Sequence, residues 1–115
     1  MIPFNNRFHG HSSLNYVYRN GKTLHSRFFV VKITPNKYRK NTRIAVVVSK
    51  KIFKSAVRRN RVRRRVYEYL RLQLDKFNNV YDVVVIITSG EVLNLPYDDI
   101  SNQLAQLFDQ ARLLK

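Results

Sequence analysis

Apolar positions along the chain alternate between helical and strand spacing, and each switch marks an element. Leu14, Val17 and Tyr18 fall at i, i+3 and i+4 behind Ser12 and Ser13, either of which suits a helix N-cap. Asn20-Gly21 closes this short helix, with a left-handed cap expected at the pair. From Leu24 to Thr34 the period drops to two. Phe28, Val30 and Lys32 share one face of that strand; Phe29, Val31 and Ile33 share the other. Pro35-Asn36 makes a turn, with Lys37, Arg39, Lys40 and Arg43 clustered around it. Ile44 to Val48 is a short β-branched run, apolar on both faces, which reads as an interior strand. A hairpin to the preceding strand is its simplest connection.

Helical spacing returns at Val62, Val66, Tyr69 and Leu70, predicting a helix from about Ser55 to Phe77 that Asn78-Asn79 ends. Val80 to Thr88 (VYDVVVIIT) is the most apolar strand. Strand, crossover helix and strand imply a parallel pair within a mixed sheet. Beyond the loop Ser89–Pro96, a last helix has its core stripe at Ile100, Leu104, Leu107, Phe108 and Ala111. No internal repeat or low-complexity segment interrupts this order.

Charge changes the picture of the central helix. Between Ser49 and Arg71 stand ten Lys or Arg residues and one acid, Glu68. With Ser55 as N-cap, Arg58, Arg59 and Arg61 fall in the first two turns. There the macrodipole makes each cation unfavourable by roughly 0.3–1 kcal/mol. Basic pairs four apart (Arg59/Arg63 and Arg61/Arg65) add repulsion of about 0.2–0.5 kcal/mol each. A disordered basic tail has no core to face and carries no apolar stripe. A merely solvated face intersperses acids. The last helix follows the opposite rule, with Asp98 and Asp99 in its first turn and Arg112 and Lys115 at its end. The central helix is therefore expected to meet a polyanion. The cluster from Lys37 to Arg43 reads as a solvated turn in preference to an RNA contact.

The chain has 115 residues, suited to one domain with a single core, and residues 1–11 read as an irregular arm. His9 and His11 flank Gly10 in that arm, and two histidines alone fall short of a metal site. Net charge is +15, from 22 Lys and Arg against seven Asp and Glu. A charge that large opposes compaction unless used, and its usual use is nucleic acid. No run of about 18 apolar residues can span a membrane, no stretch suits insertion into its surface, and MIPFNNRFHGHS lacks an apolar signal core. Without cysteine there is no disulfide or thiolate metal site, which fits a reducing interior and a cytoplasmic location. Three separated glycines give no phosphate-binding loop. The only adjacent acids are Asp98-Asp99, already explained by the helix terminus. No catalytic or metal site is expected in the protein itself.

The run SKKIFKSAVRRNRVRRRV resembles the signature of the bacterial ribonuclease P protein subunit. Its marks are Lys50-Lys51, Ala56-Val57, Arg59-Asn60-Arg61 and Arg63-Arg64. The likeness extends to the helix ending in Gly21, the strand at Arg27-Phe28-Phe29-Val30, the apolar strand at 80–88 and the final helix. It implies an α+β fold, a compact α/β sandwich whose mixed four-stranded sheet is built in the order α-β-β-β-α-β-α. It also implies a left-handed βαβ crossover, against the general right-handed rule.

By the same resemblance, the chain is the protein subunit of a ribonucleoprotein that removes the 5′ leader from precursor tRNA. The RNA performs hydrolysis with bound Mg²⁺; the protein, a monomer within the particle and without cofactor or membrane, raises substrate affinity. Lys50, Lys51, Arg58, Arg59, Asn60, Arg61, Arg63 and Arg64 are then expected to meet the catalytic RNA. Arginine forks suit bidentate phosphate contact, and Asn60 suits a 2′-OH or base edge. The single-stranded leader is expected in a cleft at Leu14, Tyr18 and Lys32, where the family often has Phe, Phe and Tyr. Tyr18 keeps a stacking platform. Leu14 and Lys32 do not, and plain core packing is an equal account of Leu14 and Val17. Tyr67 stands where the family usually has Arg. The competing reading is a non-catalytic binder of structured RNA, such as a ribosome-associated protein.

Overall fold

The computed structural model describes residues 3–8 and 12–114, so His9, His11 and Lys115 lie outside the described residues. The elements are α1 (Ser12–Asn20), β1 (Lys22–His25), β2 (Phe29–Pro35), β3 (Arg43–Val47), α2 (Ala56–Gln73), β4 (Tyr81–Ile87) and α3 (Tyr97–Ala111). They build one four-stranded sheet in the order β1-β2-β4-β3. β1/β2 and β2/β4 are antiparallel, and β3/β4 is the parallel pair that the strand–helix–strand pattern predicts.

Period two decides which side chains meet which layer. Phe29, Val31 and Ile33 of β2 line up with Ile87, Val85 and Val83 of β4, and Val85 and Val83 pair in turn with Val46 and Ile44 of β3. That face packs on Val62, Val66, Tyr69 and Leu70 of α2 and on Ile100, Leu104, Leu107 and Phe108 of α3, all buried. Both helical stripes thus face the main core. Among the described helices α1 covers the opposite face, packing on β2 and β4 with Val17 and Val84 fully buried. On an α-helix Leu14 and Tyr18 then flank Val17 on one side, and Ser13 and Tyr16 on the other. The result is a sandwich whose thin layer leaves part of the sheet uncovered.

Several local expectations differ from the fold. The single strand over Leu24–Thr34 is two strands, broken where the Ser26 hydroxyl accepts from Phe29 N (3.2 Å) and Ser26 N donates to the Phe29 carbonyl (2.9 Å). Such a local side-chain bond competes with the ladder and ends it. The hairpin is therefore β1/β2. β4 inserts between β2 and β3, so β3 is an edge strand, not an interior one. Its outer groups are nonetheless occupied: Val46 N donates to the Tyr67 hydroxyl (3.1 Å), and Arg7 bridges Ile44 in parallel. Residues 4–8 of the expected arm are accordingly docked, with a 3-10 turn over Phe4–Asn6 and a bond from Asn6 Nδ2 to the Thr42 carbonyl (2.8 Å).

Two further differences concern helix ends. Gly21 is not left-handed; Arg112, at the end of α3, is the only described non-glycine residue with positive φ (55°). Glycine is required at 21 for space, since a Cβ there would lie 2.6 Å from the Val17 carbonyl oxygen. α2 stops at Gln73 and passes through a 3-10 turn, Leu74–Lys76, before Phe77 packs its ring 5.7 Å from that of Phe108.

Arg43 is not part of a solvated turn. Its Nε and Nη2 donate to the two oxygens of Asp82 (2.9 and 2.7 Å), with both side chains at least 94% buried. Its Nη1 donates to Ser13 Oγ (3.3 Å), its guanidinium lies 4.7 Å from the centre of the Phe8 ring, and Asn36 Nδ2 donates to Asp82 (2.8 Å). Removing one partner strands a buried charge, at a cost of about 3–5 kcal/mol. Asp82→Ala should therefore lower the urea unfolding free energy by that amount, with Arg43→Met/Asp82→Leu recovering most of it. A loss under 1 kcal/mol in Asp82→Ala would show that the pair holds nothing together.

Candidate nucleic-acid interface

The buried stripe of α2 fixes where its cations go. Ser55 caps the helix as expected, its hydroxyl accepting from Arg58 N (3.3 Å). With Val62 and Val66 facing the core, Arg58, Asn60, Arg61 and Arg64 are exposed. No described acid lies within ion-pair distance of Arg58, Arg61 or Arg64. The one acid on the helix, Glu68, is taken by Arg71 (2.6 Å), whose hydrogen bond holds the Glu68 carboxyl below its usual range.

Three other arginines of α2 are engaged within the protein. Arg59 Nη1 donates to the carbonyls of Phe53 (3.0 Å) and Lys54 (3.1 Å). It thereby ties the loop before the helix to the helix itself. In that loop Ile52 N and Phe53 N both donate to the Ser49 carbonyl, a turn that leaves Lys50 and Lys51 exposed. Arg65 donates to the carbonyls of Val92 (3.0 Å), Leu93 (2.9 Å) and Leu95, and so fastens the segment between β4 and α3. Arg63 donates to Asn60 Oδ1 (2.7 Å), while its Nε is buried without a hydrogen-bond partner. Arg63 also lines a hollow of about 530 Å³ between α2 and the β3 edge, together with Val46, Asn60, Arg64 and Tyr67.

Of the three residues expected in the cleft, Tyr18 and Lys32 meet on the thin side of the sheet. Lys32 Nζ donates to the Tyr18 carbonyl (3.3 Å) and lies 6.0 Å from the centre of its ring. A cation at the last turn of α1 meets the negative end of that helix. Leu14 and Tyr18 are half-buried, and burial pushes the Tyr18 hydroxyl above its usual range. Thr23, Val84 and Ala45 share a row with Lys32 across the sheet; Val84 is fully buried, and Ala45 stays partly open.

Sequence reasoning missed the anchoring roles of Arg59, Arg65 and Tyr67. Their partners are backbone groups, which leave no mark on residue type. For Arg65 the only signal is its place four residues after Arg61 on a crowded helix. Among the described residues no three His, Asp or Glu side chains gather as a metal site, and no helix is long and apolar enough to cross a membrane.

The sequence matches the family model described as Ribonuclease P over residues 2–112. It is 36% identical over 95 residues to the ribonuclease P protein component of Desulfosudis oleivorans, covering 83% of this chain and 76% of that protein. It is also 36% identical over 107 residues to the protein component from Clostridium botulinum, covering 92% and 94%. Among solved structures, the RNase P protein from Thermotoga maritima superposes with a TM-score of 0.79 at 26% identity, covering 90% of this chain and 96% of that one. A sandwich of this topology, a cation-faced α2 and a match spanning nearly the whole chain place it plainly: the chain belongs to the ribonuclease P protein family.

Proposed function

We infer that this chain binds the catalytic RNA of ribonuclease P through the exposed face of α2 and the Lys50-Lys51 turn. Across the cleft beside α1 it holds the single-stranded 5′ leader of precursor tRNA. The observation behind this reading is the division of labour among the arginines. Arg59 and Arg65 serve the fold, whereas Arg58, Arg61 and Arg64 are exposed with no described acid within ion-pair distance. A helix that keeps cations at its positive end without internal partners is stabilised by an external polyanion. RNA phosphates supply that charge, and the guanidinium fork matches them bidentately. Hydrolysis is assigned to the RNA, whose bound Mg²⁺ supplies the metal chemistry.

The cleft suits an unpaired strand. Tyr18 offers a ring for base stacking, Lys32 a cation for the backbone, and partly open Ala45 a patch of apolar surface in the same row. Leu14 and Lys32 stand where aromatics are usual, so stacking is concentrated on Tyr18.

Reconstitution tests the reading directly. The purified chain with its catalytic RNA should cleave precursor tRNA at a Mg²⁺ concentration where the RNA alone is nearly inactive. No gain over RNA alone would overturn it.

Arg61→Ala and Arg64→Ala should each reduce the salt dependence of binding to the catalytic RNA by about 0.7–0.9 in the log–log slope. Arg65→Ala should instead leave the slope unchanged and lower unfolding stability by about 1–3 kcal/mol, because three hydrogen bonds to the segment between β4 and α3 are lost. Equal slopes in all four proteins would remove α2 from the contact.

Tyr18→Ala should weaken binding of leader-bearing precursor by about 1–3 kcal/mol while leaving mature tRNA within experimental error. Equal losses for the two would take Tyr18 out of the leader site.

A further inference from the structure

On the far side of α1 from the Tyr18–Lys32 cleft lies a second concavity of about 610 Å³, between the N-terminal turn of α1 and residues 34–39. Tyr16, Lys37, Tyr38 and Arg39 form its walls, and Ser13 with the Arg43–Asp82 pair its floor. Tyr38 is 96% exposed and Tyr16 56%. Apolar surface left in water forfeits roughly 25 cal/mol for each Å² that burial would have covered. The exposure of Tyr38 is built in by the backbone. Asn36 N donates to the Val80 carbonyl (2.9 Å), Asn36 Oδ1 accepts from Tyr38 N (3.0 Å), and Asn36 Nδ2 is anchored on buried Asp82 (2.8 Å). A turn hung from a buried ion pair thus holds a bare aromatic ring in solvent.

The charges around the ring are equally unspent. No described acid pairs with Lys37, Arg39 or Lys40, and the one acid of the concavity, Asp82, is already occupied by Arg43 and Asn36. Beyond Tyr38 a smaller hollow of about 370 Å³, which Arg39 also lines, extends the basic surface past Arg7 and Lys40. Exposed rings interleaved with cations match one chemistry well: bases stack on the rings while the cations follow the phosphates. An acidic peptide would use the cations and leave the rings idle.

We propose that this concavity is a second single-stranded RNA site, taking an unpaired nucleotide against Tyr16 and Tyr38 with its phosphates on Lys37 and Arg39. The site rests on the reading of this chain as an RNA-binding subunit, but it is separate from both α2 and the leader cleft. It extends the RNA track around the N-terminal end of α1.

The test uses the full chain and a ten-nucleotide uridine oligomer, without catalytic RNA, so failed reconstitution and failure of this site are different results. Binding should shift the ring resonances of Tyr16 and Tyr38 upfield, as stacking does. Tyr16→Ala/Tyr38→Ala should weaken binding about fivefold or more. Lys37→Gln/Arg39→Gln should flatten the salt dependence by about 0.7 per cation. Neither pair of positions is buried, so the variants should keep the unfolding midpoint of the parent. In the reconstituted particle, the tyrosine variant should lose affinity either for the catalytic RNA or for leader-bearing precursor, and the arm that responds identifies the strand. Unmoved ring resonances, or affinity within twofold of the parent in the tyrosine variant, would overturn the proposal. So would equally tight binding of an oligoglutamate of the same charge.

Discussion

Five segments of the chain meet at one buried ion pair. Arg43 and Asp82 are register partners at the start of the parallel β3/β4 ladder, so their bidentate contact pins the one pairing that a local turn cannot set. Phe8 lies against the guanidinium, Ser13 ties α1 to it, and Asn36 ties the β2–β3 loop to the carboxylate. A buried pair adds little net stability over a well-packed apolar pair. Its use is geometric: beyond their two mutual bonds, Arg43 reaches α1 through Ser13 and Asp82 reaches the β2–β3 loop through Asn36, so one register and one placement of α1 satisfy them all. Both concavities beside α1 inherit their shape from this point.

The remaining cations divide by what they touch. Arg59 and Arg65 donate to main-chain carbonyls of the segments that flank the helices, filling a role usually given to caps or bound water. Arg58, Arg61 and Arg64 have no such duty. A chain with +15 net charge thereby turns some of its excess into structure and presents the rest on a defined surface. Because α2 is anchored by Val62, Val66, Tyr69 and Leu70, that surface is rigid, and little ordering is needed when a partner docks.

Much of this was legible in the residues. The stripes of α2 and α3 named their buried positions, and Ser55 named its cap, because helix periodicity and capping are local. The parallel β3/β4 pair followed from the intervening helix. What could not be read was non-local. Nothing in Ile44–Val48 says that β4 will insert beside it, since an edge strand covered by Tyr67 and Arg7 is as apolar as an interior one. The Arg43–Asp82 pair joins residues 39 apart, and their types match those of any surface charge. The basic surface of α2 was visible as too many cations with too few acids. The separation of anchoring arginines from free ones depends on carbonyls that sequence leaves unmarked.

The junction between α1 and β1 sets the mechanics of the thin layer. Gly21 is the only residue between them, and it is wedged against the Val17 carbonyl with no room for a Cβ. A one-residue joint has no slack to act as a hinge, and the other end of α1 is moored through Ser13. α1 therefore works as a fixed partition, with Tyr18 and Lys32 on one side and the concavity lined by Ser13 and Tyr16 on the other.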